Sequence, residues 1–252
     1  MATIKAAYRY IDEGSRAKFC DSQCLLTISV GQEVHENEKL ETTIDLINNS
    51  FRSCILMIDD SLQRHTMVLD RAESAEDMYP IAIDEGDRWL MRNQKYFNNL
   101  SNLTKIIRWD IWLNHPQFRS NQMMIIDTIK NDSAFKEIID KTIHEFLQRY
   151  YGRLLNGTHF NLRKGYKLCF DYLVEECSAM TLWPELDCQF EVYPSKRNFA
   201  MDETHKRFVL PQWPELLHAV AVKFKNRKQL KPQVFEFLTE RNHRLEERLL
   251  VG

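Results

Sequence analysis

Two side chains that could act together on one substrate stand four residues apart in the second half of the chain. They are Tyr172 and Glu176, in the segment YLVEE. Residues at i and i+4 of a helix share one face, so the phenol and the carboxylate would lie side by side. The carboxylate can bind an ammonium group and move its proton, while the phenol donates a hydrogen bond. The alternative is an ordinary amphipathic helix, and we expect Glu175, about 100° further around it, to face solvent.

The second candidate is the turn that follows the apolar run CLLTISV, residues 24–30. Gly31 can adopt a positive φ or let the backbone pass close to a ligand. A turn at the carboxyl end of a parallel strand presents side chains to a substrate. The residues Gln32, Glu33 and His35 are placed to do so. His35 has no specific role by its spacing alone.

A third candidate is Tyr193, which ends a short strand-like segment directly before Pro194. Proline disfavours helical geometry in the residue before it, which keeps Tyr193 extended. The tyrosine can position a substrate there, or its ring can pack on the core.

Charge is unevenly distributed, although the net charge of the 252 residues is only −2. The stretch from residue 147 to 169 contains no acid, and residues 223–231 are also purely basic. Such a surface can bind phosphates despite a negative total, or it can be an ordinary solvated helix face. The candidate phosphate-binding cations of the first stretch are Arg149, Arg153, Arg163, Lys164 and Lys167.

Other classes of site are not indicated by the sequence. The six cysteines lack the CxxC pairs of a zinc site, and no GxxxxGK[ST] phosphate loop is present, so we expect no metal and no cofactor. A signal peptide and a membrane span are not evident either, which predicts a cytoplasmic protein. A small nucleotide-binding Rossmann protein is a weaker alternative, because GxGxxG is lacking.

The apolar patterns predict one α/β domain over residues 1–252. Strands are predicted at 24–30, 54–58, 103–113 and 190–193, and helices at 36–49, 61–71, 75–97, 116–155 with a break near 132, and 161–180. Strand, helix and strand within about 35 residues is typical of a doubly wound, Rossmann-like parallel sheet. An additional helical segment is predicted at about 211–250, with helices at 213–224 and about 232–250.

Several short segments together resemble the tRNA-dependent cyclodipeptide synthases. They follow the order of that family across residues 24–200: SVGQ, HE and KL, then DDSLQRHT, GDRWLMRN, RWDIWLNHP and HEFLQRY, and finally the pairs Tyr172/Glu176 and Tyr193-Pro194. Members divide by whether His or Pro follows that last tyrosine. This chain resembles the branch with proline.

The resemblance implies a Rossmann-like fold similar to the catalytic domain of class I tyrosyl- and tryptophanyl-tRNA synthetases. It implies a monomer that uses two aminoacyl-tRNAs, without ATP, to make a diketopiperazine. The implied catalytic residues are Glu33, Tyr172, Glu176 and Tyr193, and the implied substrate-binding residues are Gly31, Gln32, His35 and Pro194.

Glu33 complicates this expectation. The resemblance implies that its position, two residues after the glycine, is that of the serine that accepts an aminoacyl group. A carboxylate attacking the ester would form a mixed anhydride, which is uphill. The protein could therefore make a dipeptide without a serine intermediate, or bind aminoacyl-tRNA without making a cyclodipeptide. A third alternative is that Ser29 accepts the acyl group, which would require a different pocket.

Overall fold

The short β-branched runs of the chain form a mixed sheet in the computed structural model, which describes residues 4–9, 13–69, 73–151 and 161–226. Among these residues six strands form one sheet, in the order β1-β6-β5-β2-β3-β4. The strands are β1 Ile4–Arg9, β2 Gln23–Ser29, β3 Ser53–Asp59, β4 Leu103–Arg108, β5 Phe190–Tyr193 and β6 His218–Asn226. The helices are α1 Glu13–Ala17, α2 Asn37–Asn48, α3 Arg64–Met67, α4 Tyr79–Phe97, α5 Asp110–Leu113, α6 Phe118–Asn131, α7 Ser133–Tyr151, α8 Leu162–Met180 and α9 Phe199–Thr204.

The pairing of the strands confirms the predicted parallel sheet, with one exception at its edge. β2 pairs in parallel with both β3 and β5, β3 with β4, and β5 with β6, whereas β1 is antiparallel to β6. The chain builds outwards from β2 through β3 to β4, and then crosses to β5 on the other side. The winding direction therefore reverses between β2 and β5, and ligands bind at such a point in open α/β sheets.

Alternate residues of the central strands face two different helical layers. Leu25 and Met57 belong to the core cluster that contains the buried residues of α8. Leu26, Ile28 and Ile58 belong to the opposite cluster, with residues of α2 and α4. Side chains alternate along a strand. The last residues of β2, β3 and β5, which are Ser29, Asp59 and Tyr193, therefore face the helical layer that contains α8.

The predicted helix at 213–224 is wrong. Residues 218–226 form β6, which pairs with both β1 and β5. The segment HAVAVKFKN has the two-residue period of a strand, with Val220 and Val222 buried. The sequence analysis did not predict β1 either, and the predicted helix at 232–250 lies outside the described residues.

The long helices match their predictions in type. α6 and α7 break at Asp132, whose backbone is extended and whose side chain accepts a hydrogen bond from the Phe135 N–H. Residues 61–71 are less regular than predicted, because a 3₁₀ turn at Ser61–Gln63 precedes the short α3. Asp60 caps that turn by accepting a hydrogen bond from the Ser61 N–H at 2.7 Å.

Candidate active site

Ser29 and Tyr193 meet at the point where the winding of the sheet reverses. Each is the last residue of its strand, β2 and β5. The Ser29 Oγ lies 3.2 Å from the Tyr193 hydroxyl oxygen, and Ser29 is 8% exposed. Burial raises the pKa of Tyr193 to about 12, so its hydroxyl keeps its proton near neutral pH. A serine hydroxyl thus stands beside a phenol that can exchange a hydrogen bond with it.

The turn directly after Ser29, at the end of β2, depends on the backbone conformation of Gly31. Gly31 has φ +85°, and a Cβ added there would meet nothing within 4 Å. The glycine is needed for its conformation and not for space, because a side chain at positive φ is strained. The predicted positive φ of Gly31 is confirmed. Gln32 follows at the start of a 3₁₀ turn, where its N–H donates to the Ser29 carbonyl at 3.2 Å.

His35 lies underneath this turn. Its Nδ1 accepts a hydrogen bond from the Ser29 N–H at 2.7 Å, and its ring is edge-on to that of Tyr193 at 5.3 Å. Burial lowers the pKa of His35 to about 4, so the imidazole is neutral. Trp89 donates to the His35 carbonyl at 3.1 Å, which fixes the turn against α4. These contacts position Ser29 and Tyr193.

Tyr172 and Glu176 share one face of α8, as predicted from their spacing. The Tyr172 hydroxyl donates to Glu176 Oε1 at 3.2 Å, and Asn198 Nδ2 donates to Oε2 at 2.9 Å. Burial raises the pKa of Glu176 to about 7, and burial together with the nearby Glu176 charge raises that of Tyr172. A carboxyl group with a pKa near neutrality can both bind an ammonium group and exchange a proton.

Glu33 turns into solvent and makes no contact with Ser29, Tyr172, Glu176 or Tyr193, contrary to expectation. Its side chain is 86% exposed and pairs with Lys39 at 2.6 Å. The Lys39 hydrogen bond lowers the pKa of Glu33, which keeps it ionised in solvent. The physical reason is the turn at Gly31, which directs the following residues away from the end of β2. Pro194 is buried directly after Tyr193.

For the activity that the family resemblance implies, we therefore expect Glu33→Gln and Glu33→Ser to change the rate of diketopiperazine formation by less than about twofold. Solvent screens an exposed ion pair, which therefore contributes little, and neither variant alters a group that contacts Ser29, Tyr172 or Glu176. Initial rates with charged tRNA would measure this. A tenfold lower rate in the glutamine variant would mean that Glu33 takes part in the reaction.

Glu175 is also placed differently from its prediction. It is 4% exposed and not solvated. Arg64 donates to both oxygens of Glu175, at 2.8 and 2.5 Å. The Glu175 carboxylate also forms hydrogen bonds with Trp109 and with His65. Burial alone would raise the pKa of Glu175, but the bonds with His65 and Arg64 outweigh it and hold the pKa below its ordinary value. The carboxylate ties α8 to α3 and to the residue that follows β4.

Most of the predicted tRNA-binding cations lie on α7 and α8. Lys164 and Lys167 line a groove of about 670 Å³, which Arg64 and Arg119 also line. Lys167 pairs with Asp171 at 2.5 Å, and the Lys164 ammonium donates to the Glu73 carbonyl at 3.4 Å. Arg163 and Arg149 are exposed, and the Arg149 guanidinium lies 4.8 Å from the Phe146 ring. Arg153 lies outside the described residues.

Two residues near the site were not predicted to belong to it. Asp59 ends β3 beside Ser29, and Asn198 caps α9 while it bonds Glu176. The sequence signal for Asp59 was its position directly after a buried strand. In the described part of the chain no group of three His, Cys, Asp or Glu side chains is arranged to hold a metal ion.

Comparisons with solved structures find proteins of similar fold. A CDPS (cyclodipeptide synthase) from Fluoribacter dumoffii is 40% identical, with a TM-score of 0.84, over 88% of this chain and 98% of that one. The cyclodipeptide synthase from Candidatus Glomeribacter gigasporarum, bound to Phe-tRNAPhe, is 16% identical with a TM-score of 0.67, over 85% and 92% of the two chains. No family model and no curated protein matches the chain.

The fold defines a Rossmann-like α/β protein, and the candidate site lies at the switch point of its sheet. A Mycobacterium tuberculosis protein with the same fold is 10% identical with a TM-score of 0.60, over 89% of this chain and 94% of that one. Its description relates cyclodipeptide synthetases to type I tRNA synthetases. The chain belongs to the cyclodipeptide synthase family, as the 40% identity over most of its length shows. None of the helices in the described ranges combines the length and apolarity that crossing a bilayer requires.

Proposed function

We propose that this protein is an active aminoacyltransferase that joins the aminoacyl groups of two aminoacyl-tRNAs into a cyclic dipeptide, with Ser29 as the acyl acceptor. The observation that carries the proposal is the pairing of Ser29 with Tyr193 at the switch point, on the sheet face covered by α8. Membership of the family supports the reaction class. A serine hydroxyl forms an ester of about the same energy as the incoming one, which a carboxylate does not.

The reaction balances without ATP. The Ser29 Oγ attacks the ester carbonyl of the first aminoacyl-tRNA, the bond to the ribose oxygen breaks, and the serine proton ends on the tRNA hydroxyl. The amine of one aminoacyl group then attacks the ester of the other. The remaining amine attacks the remaining ester and closes the ring. The total is two aminoacyl-tRNAs converted to one diketopiperazine and two tRNAs.

Glu176 and Tyr172 have the chemistry to hold an α-amino group. The free amine of an aminoacyl ester is protonated in part near neutral pH, because the reference pKa of an α-amino group is roughly 8. A carboxylate with a pKa of about 7 can bind that ammonium group and take its proton before the amine attacks. Tyr193 can pass a proton to or from the Ser29 Oγ.

We assign the phosphate backbone of tRNA to the cations of the groove beside α8, which is also lined by the acids Glu73, Glu76, Asp171 and Glu175. Removing Lys164 and Lys167 together, as Lys164→Gln/Lys167→Gln, is expected to weaken tRNA binding and to lower its salt dependence by about one in the log–log slope per lost phosphate contact. The double variant Lys5→Gln/Lys105→Gln removes the same charge from the exposed edge strands β1 and β4. It serves as the control. An unchanged slope in the first variant would place the tRNA elsewhere.

Mass spectrometry of medium from cells that express the protein tests the proposed activity. Diketopiperazines absent from control cells are expected. Their absence, combined with retained binding of aminoacyl-tRNA by the purified protein, would favour the alternative of a noncatalytic aminoacyl-tRNA-binding protein. That outcome would overturn the proposal.

A further inference from the structure

We propose that Asp59 is a second ammonium-binding group, which holds the α-amino group of the second aminoacyl residue while the first is attached to Ser29. The proposal rests on the proposed function and extends it to a residue for which the sequence indicated no role. It assigns one carboxyl group to each of the two amino groups in the reaction.

The first argument is position. Asp59 ends β3 as Ser29 ends β2, and the two are register partners in the parallel pair. Neighbouring strands lie about 4.8 Å apart, and register partners point to the same face. Asp59 therefore stands beside the proposed acyl acceptor, on the face covered by α8. Its charge also acts on the hydroxyls of Tyr172 and Tyr193.

The second argument is an incomplete set of hydrogen bonds. Asp59 is 6% exposed, and its Oδ1 is buried with no hydrogen-bond partner among the described residues. Three other buried carboxyl groups each pair with a cation: Asp60 with Arg108, Glu175 with Arg64, and Glu191 with Arg197. Leaving a buried acceptor without a partner costs about 1–3 kcal/mol, and more for a charged group. Such a cost in a folded protein calls for an explanation.

The third argument is the sign of the local charge. The acids that act on Asp59 are Glu176, Asp60 and Glu191. Arg108 and Arg197 are engaged by two of those acids and do not bond to Asp59. Burial, followed by these charges, raises the pKa of Asp59 well above its ordinary value. A cation that arrives beside Ser29 would relieve both the burial cost and the repulsion.

Glu176 is less suited to hold both amino groups in turn. Its two oxygens already accept hydrogen bonds from Tyr172 and Asn198. Asp59 Oδ1 has its full acceptor capacity available, and the Ser61 Oγ close by in the chain is likewise buried without a partner. In the last step the second ammonium group loses its proton to Asp59, its amine attacks the Ser29 ester, and the Ser29 oxygen regains a proton as the ring closes.

The test separates the two halves of the reaction in Asp59→Asn. The variant is expected to form the aminoacyl ester on Ser29 at a rate within about threefold of the unaltered protein. Its cyclic dipeptide formation should fall by about 10²-fold or more, the range of proton-transfer catalysis. Intact-protein mass after rapid mixing with one labelled aminoacyl-tRNA measures the ester, and product mass measures the second half.

Thermal unfolding distinguishes substrate binding from a structural role. Asparagine has the same shape and no charge, so the melting temperature of Asp59→Asn should stay the same or rise. The matched control is Asp60→Asn, one residue further on, which removes the partner of Arg108 and should lower the melting temperature.

Three results would overturn the role of Asp59: cyclic dipeptide formation at the unaltered rate, equal loss of ester and product, or a melting temperature that falls as far as that of Asp60→Asn. One further result would refute the proposed function itself, independently of the role of Asp59. If the unaltered protein makes no aminoacyl ester on Ser29, the proposed function is wrong whatever Asp59 does.

Discussion

Ser29→Ala is expected to lower cyclic dipeptide formation by more than about 10³-fold, the largest effect of any substitution considered for this chain. The alanine removes the hydroxyl proposed to carry the first aminoacyl group and leaves the remainder of β2 in place. The hydroxyl makes one hydrogen bond, to Tyr193, so the folded structure should lose about 0.5–1.5 kcal/mol. Product yield from purified protein with two charged tRNAs is the measurement.

The double variant Ser29→Ala/Glu33→Ser decides between the two positions that the sequence left open. It restores a serine at the position expected from the family resemblance. Because Glu33 is exposed and bonds Lys39, we expect the double variant to be as inactive as Ser29→Ala. Activity regained through Glu33→Ser would show that the acyl group is accepted at position 33.

Glu176→Gln is expected to lower cyclic dipeptide formation by about 10²-fold or more. The amide cannot take a proton from the substrate ammonium group, although it keeps the shape of the side chain. In the unaltered protein the rate should fall as the pH drops below about 7, because Glu176 then becomes protonated. The glutamine variant should lose that dependence.

The stability of the same variant provides a control. The folded protein holds the Glu176 proton up to about pH 7, whereas the unfolded chain releases it near the ordinary value of 4.5. Folding stability from this group therefore falls as the pH rises through that interval. Glu176→Gln should unfold at the same or a higher temperature than the unaltered protein at pH 8. An inactive variant with a much lower melting temperature would mean that Glu176 acts through folding.

The sequence predicted the main elements because they have strong periods. α8 was recognised from its apolar pattern, and Tyr172 and Glu176 follow from the i, i+4 geometry. The prediction for the β6 segment was wrong because the apolar and aromatic residues of the loop before it were included in a predicted helix at 213–224. The nine residues of the strand itself alternate. Its strand character depends on pairing with β1 and β5, which are far away in the chain.

The site was harder to predict than the elements, for two physical reasons. The sequence resemblance predicted the reactive residue from its distance along the chain after Gly31, which favoured Glu33 over Ser29. That distance does not show how the positive φ of Gly31 redirects the backbone, which leaves Glu33 in solvent. Side-chain alternation along β2 puts Ser29 on the same face of the sheet as Leu25. Only the packed structure shows that α8 covers that face. Glu175 was expected in solvent because an angle of 100° from Glu176 does not reveal that the C-terminal half of α8 is buried around most of its circumference.

The bond between Ser29 and His35 has a consequence for the selectivity of the reaction. The Ser29 N–H donates to His35 Nδ1 at 2.7 Å, so the amide of the nucleophile is not available to a tetrahedral oxyanion. The Tyr193 hydroxyl is a remaining donor beside the reacting oxygen. Weak oxyanion stabilisation suffices for an activated ester and does not suffice for an amide. In the proposed reaction, the two amide bonds of the finished ring would thereby be protected from attack by Ser29.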